Sequence, residues 1–359
     1  MRLPRRGLCR VDGQCRPAGR GAEPRQCHRL HGLPAAPRHH RPGDQLRPVC
    51  RRHHRRGRVH RRGAGHLARE QPARRRRPGR VHRSLRARGP GGLRPDLDPP
   101  AQLMRLGLYQ APSPAGDLPA GLAAVDRALA GAAETGVQML VMPELFLPGY
   151  NADPRALPAD WDSVPDRLAE MCRAHGVALT IGLAEPLEGR IYNTALALSE
   201  TGAELARYRK VQLFGPREAE LFAPGDRLCV FDHGGVRFGL LICYDVEFPE
   251  HVRALARAGA RVILVPTANP LPFVNVNQLI VPARAAENAV TIVYCNLCGT
   301  EGDLTYAGLS AIFGPDGYIL AAKGQSEGLS IAELPGGWHE HGIPLATQLT
   351  DFRPVDTPQ

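Results

Sequence analysis

Three polar residues stand where apolar runs end. Glu144 closes "VQMLVMPE", Lys210 lies in "ARYRKVQLFG" and is one of only two lysines in the chain, and Cys243 closes "FGLLIC". A thiol is a strong nucleophile only as its thiolate. A nearby cation lowers its pKa, and a carboxylate can take and return its proton. The same cation can hold the oxyanion of a tetrahedral intermediate, helped by the backbone N–H that follows the nucleophile. Taken singly, each residue has a plainer reading. A strand-end Cys packs as a small hydrophobe, a Glu after Pro143 caps a turn, and a lysine is solvated surface. Spacing alone does not bring the three together.

The elements that must position them alternate between strand and helix. Residues 105–111 form a short apolar run, and "LPAGLAAVDRALAGAAETG" has helical spacing with a stop at Gly136. A buried strand then ends at Pro143 and Glu144, and an amphipathic helix closes on Gly176. Strands follow at "VALTIGLAE" and "IYNTALALSE", joined by the turn "LEGR", and "GAELARYRKVQLF" continues from the next turn. The pattern predicts a hairpin through Gly234-Gly235, a helix from Pro249 and a strand at "ARVILVPTA". After Pro272 come a helical "VNQLIVPARAAENA", a strand "VTIVYCNLCG" and a hairpin turned by Pro315-Asp316-Gly317. Such interleaving implies a layered α/β domain over residues 104–334, with 335–359 as an extended tail. In open α/β sheets ligands bind beyond the carboxyl ends of strands, so Glu144, Lys210 and Cys243 converge if their strands are neighbours.

Charge divides the chain of 359 residues, whose formal net charge is +11. Residues 1–103 hold 28 Arg, no Lys and six acids, a net +22, whereas the remaining residues carry 18 basic and 29 acidic side chains, a net −11. The first segment also has thirteen Pro, nine of the fourteen His and a single serine, Ser84, with no helical or strand periodicity. It lacks the apolar core of a secretory signal. Arg without Lys, amid Pro, Gly, Ala and His, reads as GC-rich DNA translated upstream of a start at Met104, or as a disordered extension. The other reading is a basic arm that makes the protein a nucleic-acid binder; the −11 charge of the rest argues against it.

No disulfide framework is evident among Cys172, Cys229, Cys243, Cys295 and Cys298, and no apolar stretch is long enough to span a bilayer, so a reducing cytoplasm is the expected setting. Cys295 and Cys298 form a C-x-x-C at a strand end, read as structural because no second pair or helix start accompanies it. His233 and His251 lack partners with metal-ligand spacing. No metal or cofactor is expected.

Three motifs, "VMPELFLPGYN", "YRKVQLFG" and "GLLICYDVEFPE", resemble the Glu, Lys and Cys motifs of the nitrilase superfamily, the carbon–nitrogen hydrolases. They occur in that family's order, 66 and then 33 residues apart. The resemblance implies a four-layer α-β-β-α sandwich, with Glu144 as general base, Lys210 as oxyanion and positioning residue, and Cys243 as nucleophile. The second glutamate often found in such sites falls on Glu218, with Glu220 as the alternative. Tyr150, Asn193 and Asn269 match pocket positions, and the Tyr244 N–H is a candidate oxyanion donor. Asp245, Glu247 and Glu250 are then read as acids of the loop and helix start.

Together with "LVPTANPLPF", "ARAAENAVTIVYCNLCG" and "GPDG", the motifs are most similar to aliphatic amidases, above all the 5-aminopentanamidases. The chain has Cys243-Tyr244-Asp245 where nitrilases proper have Cys-Trp-Glu, which favours an amide over a nitrile. The implied reaction turns a small aliphatic amide and water into an acid and ammonia through a thioester. N-carbamoyl compounds and ω-amides of keto acids stay open as substrates. Asp153 is one candidate to pair with a substrate amine. Pro270 and Pro272 stand where related chains often have Met or Gly and would reshape the acyl pocket. A homo-oligomer is also implied, with the tail as a candidate to cross between subunits.

Overall fold

The computed structural model describes residues 104–334 and 345–355. The Arg-rich segment, with the expectations attached to it, and most of the tail lie outside the described residues.

One half of the fold is a six-stranded sheet of β1 (Met104–Pro112), β2 (Met139–Val141), β3 (Ala178–Leu187), β4 (Arg190–Leu198), β5 (Glu204–Arg209) and β14 (Gly328–Leu334). The other holds β6 (Cys229–His233), β7 (Val236–Leu240), β8 (Val262–Thr267), β9 (Thr291–Cys298), β12 (Ala311–Phe313) and β13 (Ile319–Ala322). The main path runs β5-β4-β3-β2-β1-β9-β8-β7-β6; β14 pairs with β1, β12 with β9, and β13 with β12. β1 and β9 meet only at Ala111↔Leu297 and Pro112↔Cys298. A small hairpin, β10 (Thr300–Glu301) and β11 (Leu304–Thr305), stands apart.

Alternation along the strands shows how the halves stack. Met139 and Val141 of β2 belong to one core with Phe238, Leu240 and Leu264 of the opposite half. Leu140, and Met142 just beyond β2, belong to a second core with Leu122, Val125 and Leu129 of helix α1 (Leu118–Glu134) and Leu168 and Cys172 of α2 (Val164–His175). Successive side chains on a strand face opposite ways, so the first half-sheet lies between α1/α2 and the second half-sheet. The central strands of that second half, β8 and β9, are buried on both faces. Its outer face is covered by α4 (Pro249–Arg257) and α5 (Val281–Asn288); a Cβ on Gly239 of β7 would lie 3.0 Å from Leu255 of α4. The result is the four-layer helix–sheet–sheet–helix order expected from the motifs.

Local signals explain the helix bounds. Asp117 caps α1 by accepting the Ala120 N–H at 2.9 Å, and Gly176 ends α2 in the left-handed conformation with φ +65°. Pro249 occupies the first turn of α4, where its missing N–H costs nothing. Within the stretch expected to be helical, Val276–Ile280 form a π-turn that leads into α5, while the strand β14 and the β10–β11 hairpin carry no comparable signal. In the tail the structure places one helical turn, α6 (Gln348–Asp351), where an extended chain is expected. No described helix is long and apolar enough to cross a membrane.

Gly182 of β3 touches the site directly. A Cβ there would lie 2.4 Å from the Leu145 nitrogen and 2.5 Å from Glu144 Cα, both backbone atoms that cannot yield cheaply. Gly182→Ala is expected to cost at least about 1–3 kcal/mol in urea unfolding, and to lower activity more than stability loss alone explains, because it displaces the Glu144 backbone.

Candidate active site

Glu144, Lys210 and Cys243 each sit just past a strand end. Glu144 follows β2 in a loop tied to both half-sheets: Met142 N–H donates to Thr180 O (2.8 Å), Gly182 N–H to Pro143 O (3.0 Å), and Glu144 N–H to Thr267 O of β8 (3.3 Å). Lys210 follows β5, its N–H donating to Asn193 O of β4 at 2.8 Å. Glu218 lies in α3 (Gly215–Leu221). Cys243 opens a 3₁₀ turn, Cys243–Glu247, soon after β7, with φ +43°. Positive φ is costly for a residue with a Cβ, and such strain collects at functional sites.

The structure brings Glu144, Lys210 and Glu218 into one buried cluster. Lys210 Nζ donates to Glu144 Oε1 at 2.7 Å and to Glu218 Oε1 at 2.9 Å, with all three side chains shut off from solvent. Glu144 Oε1 also accepts from Asn193 Nδ2 at 2.7 Å. Glu218 accepts from the Tyr150 hydroxyl at 2.6 Å and from the Phe214 N–H at 2.8 Å. Glu144 Oε2, buried, has no partner among the described residues.

Burial alone would drive the Lys210 ammonium to give up its proton, yet Glu144 and Glu218 outweigh it and hold the pKa above the ordinary lysine value. Burial pushes the Glu144 carboxyl up, with Lys210 opposing. Burial also raises the Cys243 thiol well above its usual value; the Glu144 charge adds to this, while Lys210 and the Ala268 backbone oppose it. A resting thiol next to a carboxylate with a spare oxygen is the arrangement in which attack and proton transfer can be concerted.

Cys243 is half-buried and opens on a pocket of ≈ 90 Å³ that Tyr150, Tyr244, Asn269, Phe214, Phe273 and Glu247 help to line. Tyr150, Tyr244 and Asn269 thus all line the pocket. Asn193 does not line the pocket; it is buried behind Glu144 and fixes that carboxylate. The choice between Glu218 and Glu220 falls on Glu218, since Glu220 is exposed and faces Arg155 at 3.8 Å. Asp153 is also turned outward, paired with Arg155 at 2.9 Å, and does not reach the pocket. Pro270 does line it.

Two of the acids after Cys243 are not mere loop residues. Asp245 is fully buried and accepts from Tyr208 OH (2.8 Å), Gln212 N–H (2.8 Å) and Ile242 N–H (3.1 Å). It therefore clamps the Cys243 turn to the segment that carries Lys210. Glu247 faces the pocket, whereas Glu250 is exposed at the start of α4. The spacing of these acids carried no sign of the clamp, because its donors come from residues 208–212. Cys295 donates its thiol to Val141 O at 3.2 Å and Tyr109 O at 3.4 Å, and Cys298 is buried, so the C-x-x-C pair packs between strands.

A family model for carbon–nitrogen hydrolases matches residues 105–340. The chain belongs to the carbon–nitrogen hydrolase family. It is 38% identical over 258 residues to the hydrolase in the pqqF 5′ region of Pseudomonas protegens, covering 70% of this chain and 90% of that protein. It is 36% identical to an (R)-stereoselective amidase of a Pseudomonas species, over 64% of this chain and 85% of that one. Among solved structures, the amidase from Nesterenkonia sp. superposes with a TM-score of 0.63 at 40% identity, covering 67% of this chain and 93% of that one. The four-layer fold of this carbon–nitrogen hydrolase accordingly matches a known amidase structure.

Two measurements test the geometry. Tyr208→Phe leaves Asp245 with one donor fewer and is expected to cost about 1–3 kcal/mol in chemical unfolding; no loss would show that the clamp is not carried by that hydroxyl. Glu144→Gln removes a negative charge that raises the Cys243 thiol, so the thiolate should form at lower pH than in the parent protein. Thiolate ultraviolet absorbance, taken as the difference from Cys243→Ala, reads this directly; a shift upward would contradict the electrostatics.

Proposed function

We propose that this carbon–nitrogen hydrolase cleaves a short linear amide to a carboxylic acid and ammonia, with Cys243 as nucleophile, Glu144 as general base and Lys210 as the oxyanion-binding cation. The observation that carries this reading is a half-buried thiol at positive φ within electrostatic reach of an ammonium held between two buried carboxylates. Glu144 Oε2, which has no other partner, takes the Cys243 proton as sulfur attacks the amide carbonyl. Negative charge gathers on the carbonyl oxygen and is met by Lys210 and the Tyr244 N–H. Glu144 then protonates the departing ammonia, leaving a thioester on Cys243. Water attacks the thioester, a glutamate takes its proton and returns it to the Cys243 sulfur as the C–S bond breaks, and the acid leaves.

The relatives lend support from their own activities: two that match are named as an (R)-stereoselective amidase and a 2-oxoglutaramate amidase. At the finer level, the resemblance of the motifs to 5-aminopentanamidases makes 5-aminopentanamide the substrate to try first.

Cys243→Ala removes one sulfur from a position that keeps its Cβ. It is expected to abolish ammonia release from 5-aminopentanamide and from simple aliphatic amides while circular dichroism stays unchanged. Residual turnover near the parent rate in a folded Cys243→Ala protein would overturn the proposal.

A further inference from the structure

Glu247 ends the 3₁₀ turn that Cys243 begins, and both line the same pocket. At about 2 Å rise per residue, the turn carries the Glu247 backbone roughly 8 Å along its axis from that of Cys243. Its main chain is fixed, because Arg284 Nη2 donates to Glu247 O at 2.8 Å, while the other arm of Arg284 is taken by Glu287 at 3.2 Å. The Glu247 carboxylate itself has no cation within 4.0 Å and no hydrogen-bond donor among the described residues. Burial pushes its carboxyl up, with Lys210 and Arg284 opposing from a distance.

The charges nearby are already spent on one another. Lys210 lies between Glu144 and Glu218, and Arg217 donates to Tyr150 O and Ala152 O. With the thiol protonated and the acids ionised, Lys210, Arg217 and Arg284 against Glu144, Glu218, Asp245, Glu247 and Glu287 leave a net −2. A half-buried carboxylate without a partner is unfavourable, and a cation in the pocket removes the deficit. The remaining walls suit the rest of such a ligand. Phe214 packs edge-on against Tyr244 (5.2 Å) and Phe273 (5.9 Å), rings that accept methylenes on their faces and attract an ammonium. At about 30 Å³ per water, a volume of ≈ 90 Å³ holds about three water-sized groups, which admits only a narrow, unbranched chain.

We infer that Glu247 binds a protonated amine at the far end of the substrate's acyl chain, making it the residue that selects cationic ω-aminoamides over neutral amides and against anionic ones. This rests on the amide-hydrolase reading of Cys243 and adds to it the group that chooses among amides. ω-Amides of keto acids and N-carbamoyl amino acids carry a carboxylate, which Glu247 repels.

The test is steady-state ammonia release by the full-length enzyme from three matched amides: 5-aminopentanamide (cationic), hexanamide (its neutral isostere) and glutaramate (anionic). The parent enzyme should rank them in that order by kcat/KM. In Glu247→Gln the ratio of kcat/KM for 5-aminopentanamide over hexanamide should fall about tenfold or more, chiefly through KM, and Glu247→Arg should move the preference toward glutaramate. An unchanged ratio in folded Glu247→Gln, or a parent enzyme that prefers glutaramate or hexanamide, overturns the assignment of Glu247 while the amidase reading survives. Release from none of the three overturns both.

Discussion

An ammonium group sealed inside a protein is tolerable only with negative charge in direct contact, and Lys210 is sealed completely. Two carboxylates answer it, at 2.7 and 2.9 Å, through oxygens that also accept from Asn193 Nδ2 and the Tyr150 hydroxyl, while the other oxygen of Glu218 takes the Phe214 N–H. One buried cation thereby fixes residues from β4, the loop after β2, the start of α3 and the pocket wall. Taking away one member of such a cluster leaves a bare charge, at a cost of about 3–5 kcal/mol. The cluster is therefore both a structural knot and, in the proposed mechanism, the source of the base and the oxyanion cation.

The thiol is set against this cluster by a second buried acid. Asp245 gathers donors from Tyr208, Gln212 and Ile242, two of which flank Lys210 in sequence. The Cys243 turn and the Lys210 segment therefore move as one body, and the left-handed backbone at Cys243 is held by hydrogen bonds on its neighbours. Pre-setting the reacting groups in this way removes the reorganisation that a looser site would need at each turnover.

The strand–helix alternation, the Gly and Pro boundaries and the three strand-end residues were all legible in the sequence, because each depends on local periodicity or on a motif a few residues long. Glu218 and Glu220 are two residues apart, and only the path of α3 decides which of them turns inward. Asn193 shows its limits differently: its type and position pointed to the pocket, yet it serves the carboxylate behind it. Asp245 and Glu247 were passed over because their importance comes from partners at residues 208–212 and from the aromatic wall, contacts of long sequence separation. The strand β14 was equally silent, since its pairing with β1 joins opposite ends of the domain.

The seam between the half-sheets has a consequence for when the site exists at all. Glu144 is tied to β8 through Thr267, Lys210 hangs from β5 at the far edge of one half-sheet, and Cys243 springs from β7 near the far edge of the other. Neither half alone contains the three. In the proposed mechanism, a nascent or partly opened chain therefore carries Cys243 as an ordinary cysteine, without the buried base and cation, and reactivity toward carbonyl carbon switches on only when the two sheets dock. Assembly of the core and assembly of the chemistry are one event, which makes turnover itself a reporter of complete folding.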